Sequence, residues 1–159
     1  MATASKRPAP VGLPPARTGI AHQARRFWMP RVAASVPVVR HRVLDLLHAW
    51  DLDAVADDVA LMLSELATNA VRHAAGRGYT VSVLYEAGQI TVEVYDADAK
   101  LPQLREPDTQ DEVWRGLGLV AALAKDWGAA HRQRGKTVWF TLSAPLWSAP
   151  VTSVNGRRA

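Results

Sequence analysis

The chain has 159 residues, 48% of them apolar, with a formal net charge of +4 and a sequence pI of about 9.8. This length accommodates one ordinary domain, and the composition is that of a folded globular protein. No apolar run is long enough to span a membrane, and the first thirty residues lack the apolar segment of a secretion signal. The sequence has no cysteine, which excludes disulfides, thiolate metal sites and cysteine nucleophiles and fits a cytoplasmic protein.

The positive charge is concentrated at the two ends of the chain. Residues 1–31 and 157–159 hold eight of the nineteen basic residues and no acidic one, so residues 32–156 carry a net charge of −4. The ends are also rich in Pro, Ala and Gly, which predicts a disordered basic tail over 1–25, a folded domain over 26–145 and a flexible tail over 146–159. Such a tail can contact an anionic partner or serve only for solubility. Direct nucleic-acid binding is not expected, because the central region is acidic and contains no basic recognition helix.

Hydrophobic periodicity predicts a short edge strand followed by two helices. The strand covers 26–29 and ends at Pro30, which has no N–H to donate to a neighbouring strand. Apolar residues then recur at helical spacing over 35–50, where Ser35 can cap the helix, and again over 54–75. Two amphipathic helices in succession need an apolar surface to cover.

That surface is predicted immediately downstream. Alternating β-rich runs over 80–85 and 90–95 indicate an antiparallel hairpin. Residues 97–114 are polar and aperiodic, typical of a lid or binding loop, and a third helix is predicted from about 118 to 124. Two further strands are predicted at 127–132 and 138–142. The expected fold class is α+β, a two-layer sandwich of a mixed, mostly antiparallel sheet covered by about three helices.

The second predicted helix carries a polar stripe. Glu65, Asn69 and Arg72 follow one another at positions i, i+4 and i+7, which places them on one side of a helix. Such a stripe can be a solvated face, but Asp57 and Asp58 already provide one for this helix. A carboxamide oxygen is a suitable ligand for Mg²⁺, which binds one or two protein oxygens together with substrate phosphates and water. The stripe therefore suits a metal–phosphate complex.

Two further features can bind parts of a nucleotide. Asp96 ends the second strand of the hairpin, where a carboxylate can accept a hydrogen bond from an exocyclic amine or simply form a turn. Gly116 and Gly118 lie at the predicted start of the third helix, where backbone N–H groups can approach an oxyanion. The two glycines do not form a dinucleotide-binding fingerprint, which needs a third glycine and a preceding strand, and the Walker A pattern is absent from the sequence.

Taken in order, these motifs resemble the GHKL (histidine-kinase-like) ATPase domain, and most closely its stand-alone anti-sigma-factor serine/threonine-protein kinase branch. The resemblance covers about residues 27–143. Its most specific part is the run ELATNAVRHA at 65–74, followed by GLGL at 116–119. The resemblance implies a Bergerat ATP-binding fold with ATP and Mg²⁺ as cofactors.

The resemblance also implies roles for individual residues. Glu65 would be the catalytic base, Asn69 would ligate Mg²⁺ and Arg72 would approach a phosphate. Asp96 would bind the adenine amino group, Thr137 would assist through water, residues 116–119 would wrap the phosphates, and residues 97–115 would form a lid. The full ATP-binding set is Asn69, Arg72, His73, Asp96, Arg115, Gly116, Leu117, Gly118, Leu119 and Thr137.

One position departs from the family pattern. The usual Asp-x-Gly motif reads Asp96-Ala97-Asp98, so a carboxylate stands where the backbone normally passes close to the nucleotide. This departure puts the affinity for ATP in question. We expect the side chain of Asp98 to point to solvent.

The function implied is that of an ATP-dependent protein kinase and switch. The resemblance implies that it binds a sigma factor, phosphorylates an antagonist protein on serine or threonine, and forms a homodimer. A nucleotide-gated binding module without kinase activity is the alternative, and the Asp98 position favours it. The catalytic half of a sensor histidine kinase is a third hypothesis, but the chain lacks room for a dimerisation helix pair.

Overall fold

The fold is described from a computed structural model, which covers residues 7–8, 10–15, 23–73, 75–104 and 112–146. The elements in chain order are β1 (Arg7–Pro8), β2 (Gln23–Pro30), α1 (Ser35–Ala49), α2 (Asp53–His73), β3 (Gly78–Glu86), β4 (Gln89–Asp96), β5 (Gln103–Leu104), α3 (Glu112–Leu123), β6 (Asp126–Arg132) and β7 (Gly135–Ser143). None of the described helices has the length and apolar character needed to cross a bilayer.

Five strands form one sheet in the order β2-β3-β4-β7-β6, and every pairing in it is antiparallel. The predicted hairpin is β3–β4, whose turn has positive φ at Ala87 (49°) and Gly88 (74°), as a tight hairpin turn requires. Helix α2 packs on the sheet and is flanked by α1 and α3. The predicted α+β sandwich is confirmed, with a sheet that is antiparallel throughout rather than mixed.

The core lies between the helices and one face of the sheet. Because directly opposed residues of antiparallel strands point to the same face, one register of each strand is apolar. The buried residues of this register include Val81, Val83, Ile90, Val92, Val94, Val138, Phe140 and Leu142. Two charged residues share the register, Asp96 at the end of β4 and Lys136 near the start of β7.

Helix α1 begins at the predicted residue but without the predicted cap. The N-cap position is Ala34, and no side chain caps the helix. Instead the Ser35 hydroxyl forms a 2.9 Å hydrogen bond with the Tyr79 hydroxyl of β3. Both residues are buried, and this bond satisfies two polar groups that would otherwise have no partner in the core.

Helix α3 begins earlier than predicted. The prediction placed its start near Gly118, whereas the helix runs from Glu112 and contains both glycines. Glycine is a poor helix former, so the two glycines indicated a helix terminus. Packing of α3 against α2 outweighs this low helix propensity. Of the predicted lid over 97–115, residues 103–104 form β5, residues 112–115 belong to α3, and residues 105–111 lie outside the described part of the chain.

Part of the predicted N-terminal tail lies against the sheet. The Gly12 N–H donates to the Ala129 carbonyl at 3.0 Å, and the Ala129 N–H donates to the Pro10 carbonyl at 2.8 Å. The indole N–H of Trp139 also donates to the Gly12 carbonyl at 2.8 Å. These bonds cover the edge strand β6, whose backbone groups would otherwise be open to another chain. The domain boundaries at 26 and 145 stay a prediction.

The hydroxyl pair of α1 and β3 gives a test of core packing. Ser35→Ala leaves the Tyr79 hydroxyl buried without a partner, so we expect the free energy of unfolding to fall by about 1–3 kcal/mol in urea denaturation. Ser143→Ala, at an exposed position at the end of β7, is the control and should change it by less than about 0.5 kcal/mol. Tyr79→Phe should cost less in the Ser35→Ala background than in the wild type. An equal loss of unfolding free energy from Tyr79→Phe in both backgrounds would contradict a hydrogen bond between the two hydroxyls.

Candidate functional site

The predicted polar stripe occupies the C-terminal half of α2. Glu65 and Asn69 are half-buried there, and Arg72 and His73 are exposed in the last turn. Within the described part of the chain, these four side chains form no hydrogen bond or ion pair. A carboxylate, a carboxamide and a guanidinium on one side of the helix are therefore free to meet a ligand.

Helix α3 lies directly against Glu65. A Cβ atom at position 116 would overlap the Glu65 carboxylate, whereas a Cβ at position 118 would meet nothing within 4 Å. Gly116 thus allows the two helices to approach, a role that the sequence analysis did not assign. Leu117 is buried in the core, Gly118 is exposed and Leu119 is half-buried.

The position of the glycines bears on phosphate binding. The free backbone N–H groups of a helix are those of its first turn, which in α3 is residues 112–115. Wrapping of phosphates by residues 116–119 would therefore require the start of α3 to unwind. The backbone of Arg115 lies in this first turn, while its side chain is outside the described part of the chain.

A buried ion pair lies where β4 ends. The side chains of Asp96 and Lys136 are 4% and 7% exposed, and Lys136 Nζ donates to Asp96 Oδ1 at 3.0 Å. The strand register places the two residues opposite each other, and Gly135 permits the close approach because a Cβ there would overlap the Asp96 carbonyl. Burial raises the pKa of the Asp96 carboxyl above its ordinary value, and the positive charge of Lys136 opposes this rise.

Asp98 joins this ion pair, and the prediction that it points to solvent is wrong. Its Oδ2 lies 3.5 Å from Lys136 Nζ, and its carbonyl oxygen accepts a hydrogen bond from the same ammonium at 3.2 Å. Its Oδ1 accepts a hydrogen bond from the Lys100 N–H at 3.0 Å, which is the main reason that the pKa of Asp98 is lowered. A buried ammonium favours a second carboxylate nearby, which explains why the Asp98 carboxylate, whose side chain is 28% exposed, turns toward Lys136.

Thr137 lies on the opposite face of the sheet from Asp96. Neighbouring residues of a strand alternate between faces, and Thr137 is paired with Tyr95 rather than with Asp96. Its hydroxyl accepts a hydrogen bond from Arg132 Nε at 3.0 Å, and it lines a cavity of about 740 Å³ on the sheet face that the helices do not cover. The predicted contribution of Thr137 to binding adenine does not fit this position.

Lys136 is the site residue that the sequence analysis missed. A signal for it was present, because Lys136 falls in the apolar register of β7 and Asp96 falls in the apolar register of β4. A charged residue in a buried register requires a partner of opposite sign. Two such residues at neighbouring strand ends therefore indicate an ion pair.

The arrangement fits a nucleotide with a magnesium ion. Asp96 Oδ1 accepts hydrogen bonds from Lys136 Nζ and from the Asp98 N–H, whereas Asp96 Oδ2 has no hydrogen-bond partner in the described part of the chain. The end of α2 lies beside the end of β4, since a Cβ on Gly76 would contact Ala97 Cβ at 3.5 Å. The described residues contain no group of three or more His, Asp or Glu able to hold a metal. Magnesium would therefore rely on Asn69, water and phosphate oxygens.

A sandwich with a carboxylate at a strand end, beside a helix that bears a polar stripe, has the features of a nucleotide-binding domain. The chain belongs to the histidine kinase-like ATPase domain family, whose model matches residues 29–142. This membership confirms the family resemblance seen in the sequence. No curated protein matches the chain.

The fold is similar to a solved structure, the crystal structure of the RsbU and RsbW domains of Rv1364c from Mycobacterium tuberculosis. The TM-score is 0.60 and the sequence identity 18%, over 77% of this chain and 32% of that chain. The present chain thus spans about a third of the length of that relative. A likeness at this identity establishes the common fold.

The two glycines of α3 make a matched pair for testing the contact with Glu65. Gly118→Ala should raise the free energy of unfolding by about 0.5–1 kcal/mol, because alanine favours the helix and the added methyl meets open space. Gly116→Ala should lack this gain, because the Glu65 carboxylate must move to another rotamer. In a Glu65→Ala background the gain at position 116 should reappear. Urea denaturation measures all four variants, and equal effects at 116 and 118 would contradict the packing.

Proposed function

We propose that the protein binds ATP with Mg²⁺ at this site and is a kinase that holds a sigma factor and phosphorylates a serine or threonine of an antagonist protein. The observation that carries the proposal is the stripe of Glu65, Asn69 and Arg72 beside Asp96 Oδ2, none of which has a hydrogen-bond or ion-pair partner among the described residues. Membership of the histidine kinase-like ATPase family supports ATP binding. The likeness of residues 65–74 to the anti-sigma-factor branch, and a fold shared with a chain that contains an RsbW domain, support the kinase and its partners.

Different residues of the site would bind the base and the phosphates of the nucleotide. Asp96 would accept a hydrogen bond from the adenine amino group. A base without that group would leave the carboxylate unpaired and would therefore bind more weakly. Asn69 would ligate Mg²⁺ through its carboxamide oxygen, and Arg72 would pair with a phosphate. Bound Mg²⁺ would neutralise charge on the phosphates.

Phosphoryl transfer needs few protein groups, because most of its catalysis is positioning and charge neutralisation. Glu65 would take the proton of the acceptor hydroxyl as the hydroxyl oxygen bonds to the γ-phosphorus, the bond to the bridging oxygen breaks and ADP leaves. The Glu65 carboxylate lies against Gly116, so this base would act at the contact between α2 and α3. A small domain suffices for this chemistry.

A nucleotide-gated binding module without kinase activity is the second candidate. The observation that favours it is Asp98, a carboxylate in place of the usual glycine, whose Oδ2 lies 3.5 Å from Lys136 Nζ. In both cases we propose a cytoplasmic protein that binds a sigma factor and an antagonist and forms a homodimer. Co-purification from the native cell with mass spectrometry would identify these partners.

The role of Glu65 separates the kinase from the binding module. We expect Glu65→Gln to lower phosphoryl transfer from labelled ATP to the antagonist by about a hundredfold or more, because the base is lost while the shape of the side chain is kept. Asp58→Asn, on the exposed side of the same helix, is the control and should leave the rate unchanged. Absence of transfer in the wild type, or a rate unaffected by Glu65→Gln, would exclude the kinase.

The metal site is tested separately, through binding alone. Asn69→Ala should remove the Mg²⁺-dependent part of the ATP affinity, a loss of about tenfold or more, as measured by calorimetric titration with and without Mg²⁺. The affinity measured without Mg²⁺ should change little. An unchanged isotherm in the presence of Mg²⁺ would remove Asn69 from the metal site.

A further inference from the structure

Among the residues that the structure describes, each partner of the buried ion pair of β4 and β7 has one hydrogen-bonding position that is not used. Asp96 Oδ1 accepts from Lys136 Nζ and from the Asp98 N–H, whereas Oδ2 has no partner in the described part of the chain. The ammonium of Lys136 has three N–H donors. Two of them bond to Asp96 Oδ1 and the Asp98 carbonyl, and the 3.5 Å approach to Asp98 Oδ2 is an ion pair without a hydrogen bond.

We propose that Lys136 is a specificity-determining residue that reads the base together with Asp96. Asp96 Oδ2 accepts a hydrogen bond from the 6-amino group of adenine, and the third N–H of Lys136 donates to the neighbouring ring nitrogen N1. This inference rests on the proposed function, which places adenine at Asp96.

The geometry suits two hydrogen bonds made side by side. The amino group and N1 are adjacent on one edge of adenine, one a donor and the other an acceptor. Reading both requires a protein acceptor and a protein donor side by side, and Lys136 Nζ lies 3.0 Å from Oδ1 of the same carboxylate that carries Oδ2. Neither residue has to give up an existing hydrogen bond to do so.

Asp98 keeps Lys136 suited to this role. A buried ammonium is stable only when it is paired, and the lowered pKa of Asp98 keeps that second carboxylate ionised over a wide pH range. The two carboxylates thus lie beside the ammonium of Lys136, Asp96 Oδ1 at 3.0 Å and Asp98 Oδ2 at 3.5 Å. The departure from the Asp-x-Gly motif and the lysine of β7 form one unit.

A purely structural role for Lys136 makes a different prediction. An ion pair that only ties residues 96–98 to β7 would, when broken, weaken the binding of all nucleotides by the same factor. A contact with N1 would instead show as discrimination between ATP and 1-deaza-ATP, in which a C–H replaces N1. The ratio of the two affinities therefore tests the contact itself.

The experiment is a calorimetric titration of the full chain with ATP and with 1-deaza-ATP, both with Mg²⁺. We expect the wild type to prefer ATP by about tenfold or more, the usual value of a hydrogen bond to a charged group. Lys136→Met keeps most of the length of the side chain and removes the donor, so the variant should bind the two nucleotides with similar affinity. Lys125→Met, at an exposed lysine next to β6, is the matched control and should keep the wild-type ratio.

The wild-type titrations test the hydrogen bond to N1 even if the Lys136→Met variant does not fold. Wild-type protein that binds ATP and 1-deaza-ATP equally would overturn this inference while leaving the proposed function in place. A ratio in Lys136→Met equal to that of the wild type would overturn it as well. Wild-type protein that binds no ATP would overturn the proposed function and this inference together.

Discussion

The pairing of β4 with β7 places one carboxylate and one ammonium in the apolar register of the sheet, and the site depends on this placement. Burying either charge alone is strongly unfavourable, so the two residues require each other. The pair in turn requires Gly135, because no larger residue fits against the Asp96 backbone. It also involves Asp98, whose backbone and side chain complete the surroundings of the ammonium. An ion pair at two strand ends thus fixes the local backbone.

A second close contact, between α2 and α3, positions the Glu65 side of the site. Helices α2 and α3 come together at Glu65 because residue 116 has no side chain. The cost of a glycine within a helix is about 1 kcal/mol relative to alanine, and packing against α2 offsets it. The same contact positions the carboxylate that we propose as the base. Stability and chemistry are therefore coupled at this point, and substitutions of Gly116 are expected to affect both.

Asp98 and Lys136 together change how the family's usual base-binding motif should be understood here. Taken alone, a carboxylate in place of the glycine adds negative charge near a polyphosphate. Taken with Lys136, it balances a positive charge that lies within hydrogen-bonding distance of Asp96. The departure at Asp98 and the charge of Lys136 are adjacent in space and compensate each other, so the effects of substituting the two residues on nucleotide binding should not be additive.

The sequence by itself determined the fold class and the main helices and strands. Helical periodicity and strand alternation are properties of neighbouring residues, so α1, α2 and the β3–β4 hairpin could be predicted, as could the polar stripe of α2. The tertiary structure decided what depends on distant pairs. Lys136 and Asp96 are 40 residues apart, and their register places Lys136 rather than Thr137 at the site. The start of α3 and the role of Gly116 were likewise decided by packing on α2, because local propensity at a glycine indicates a helix end and only the contact with Glu65 outweighs it.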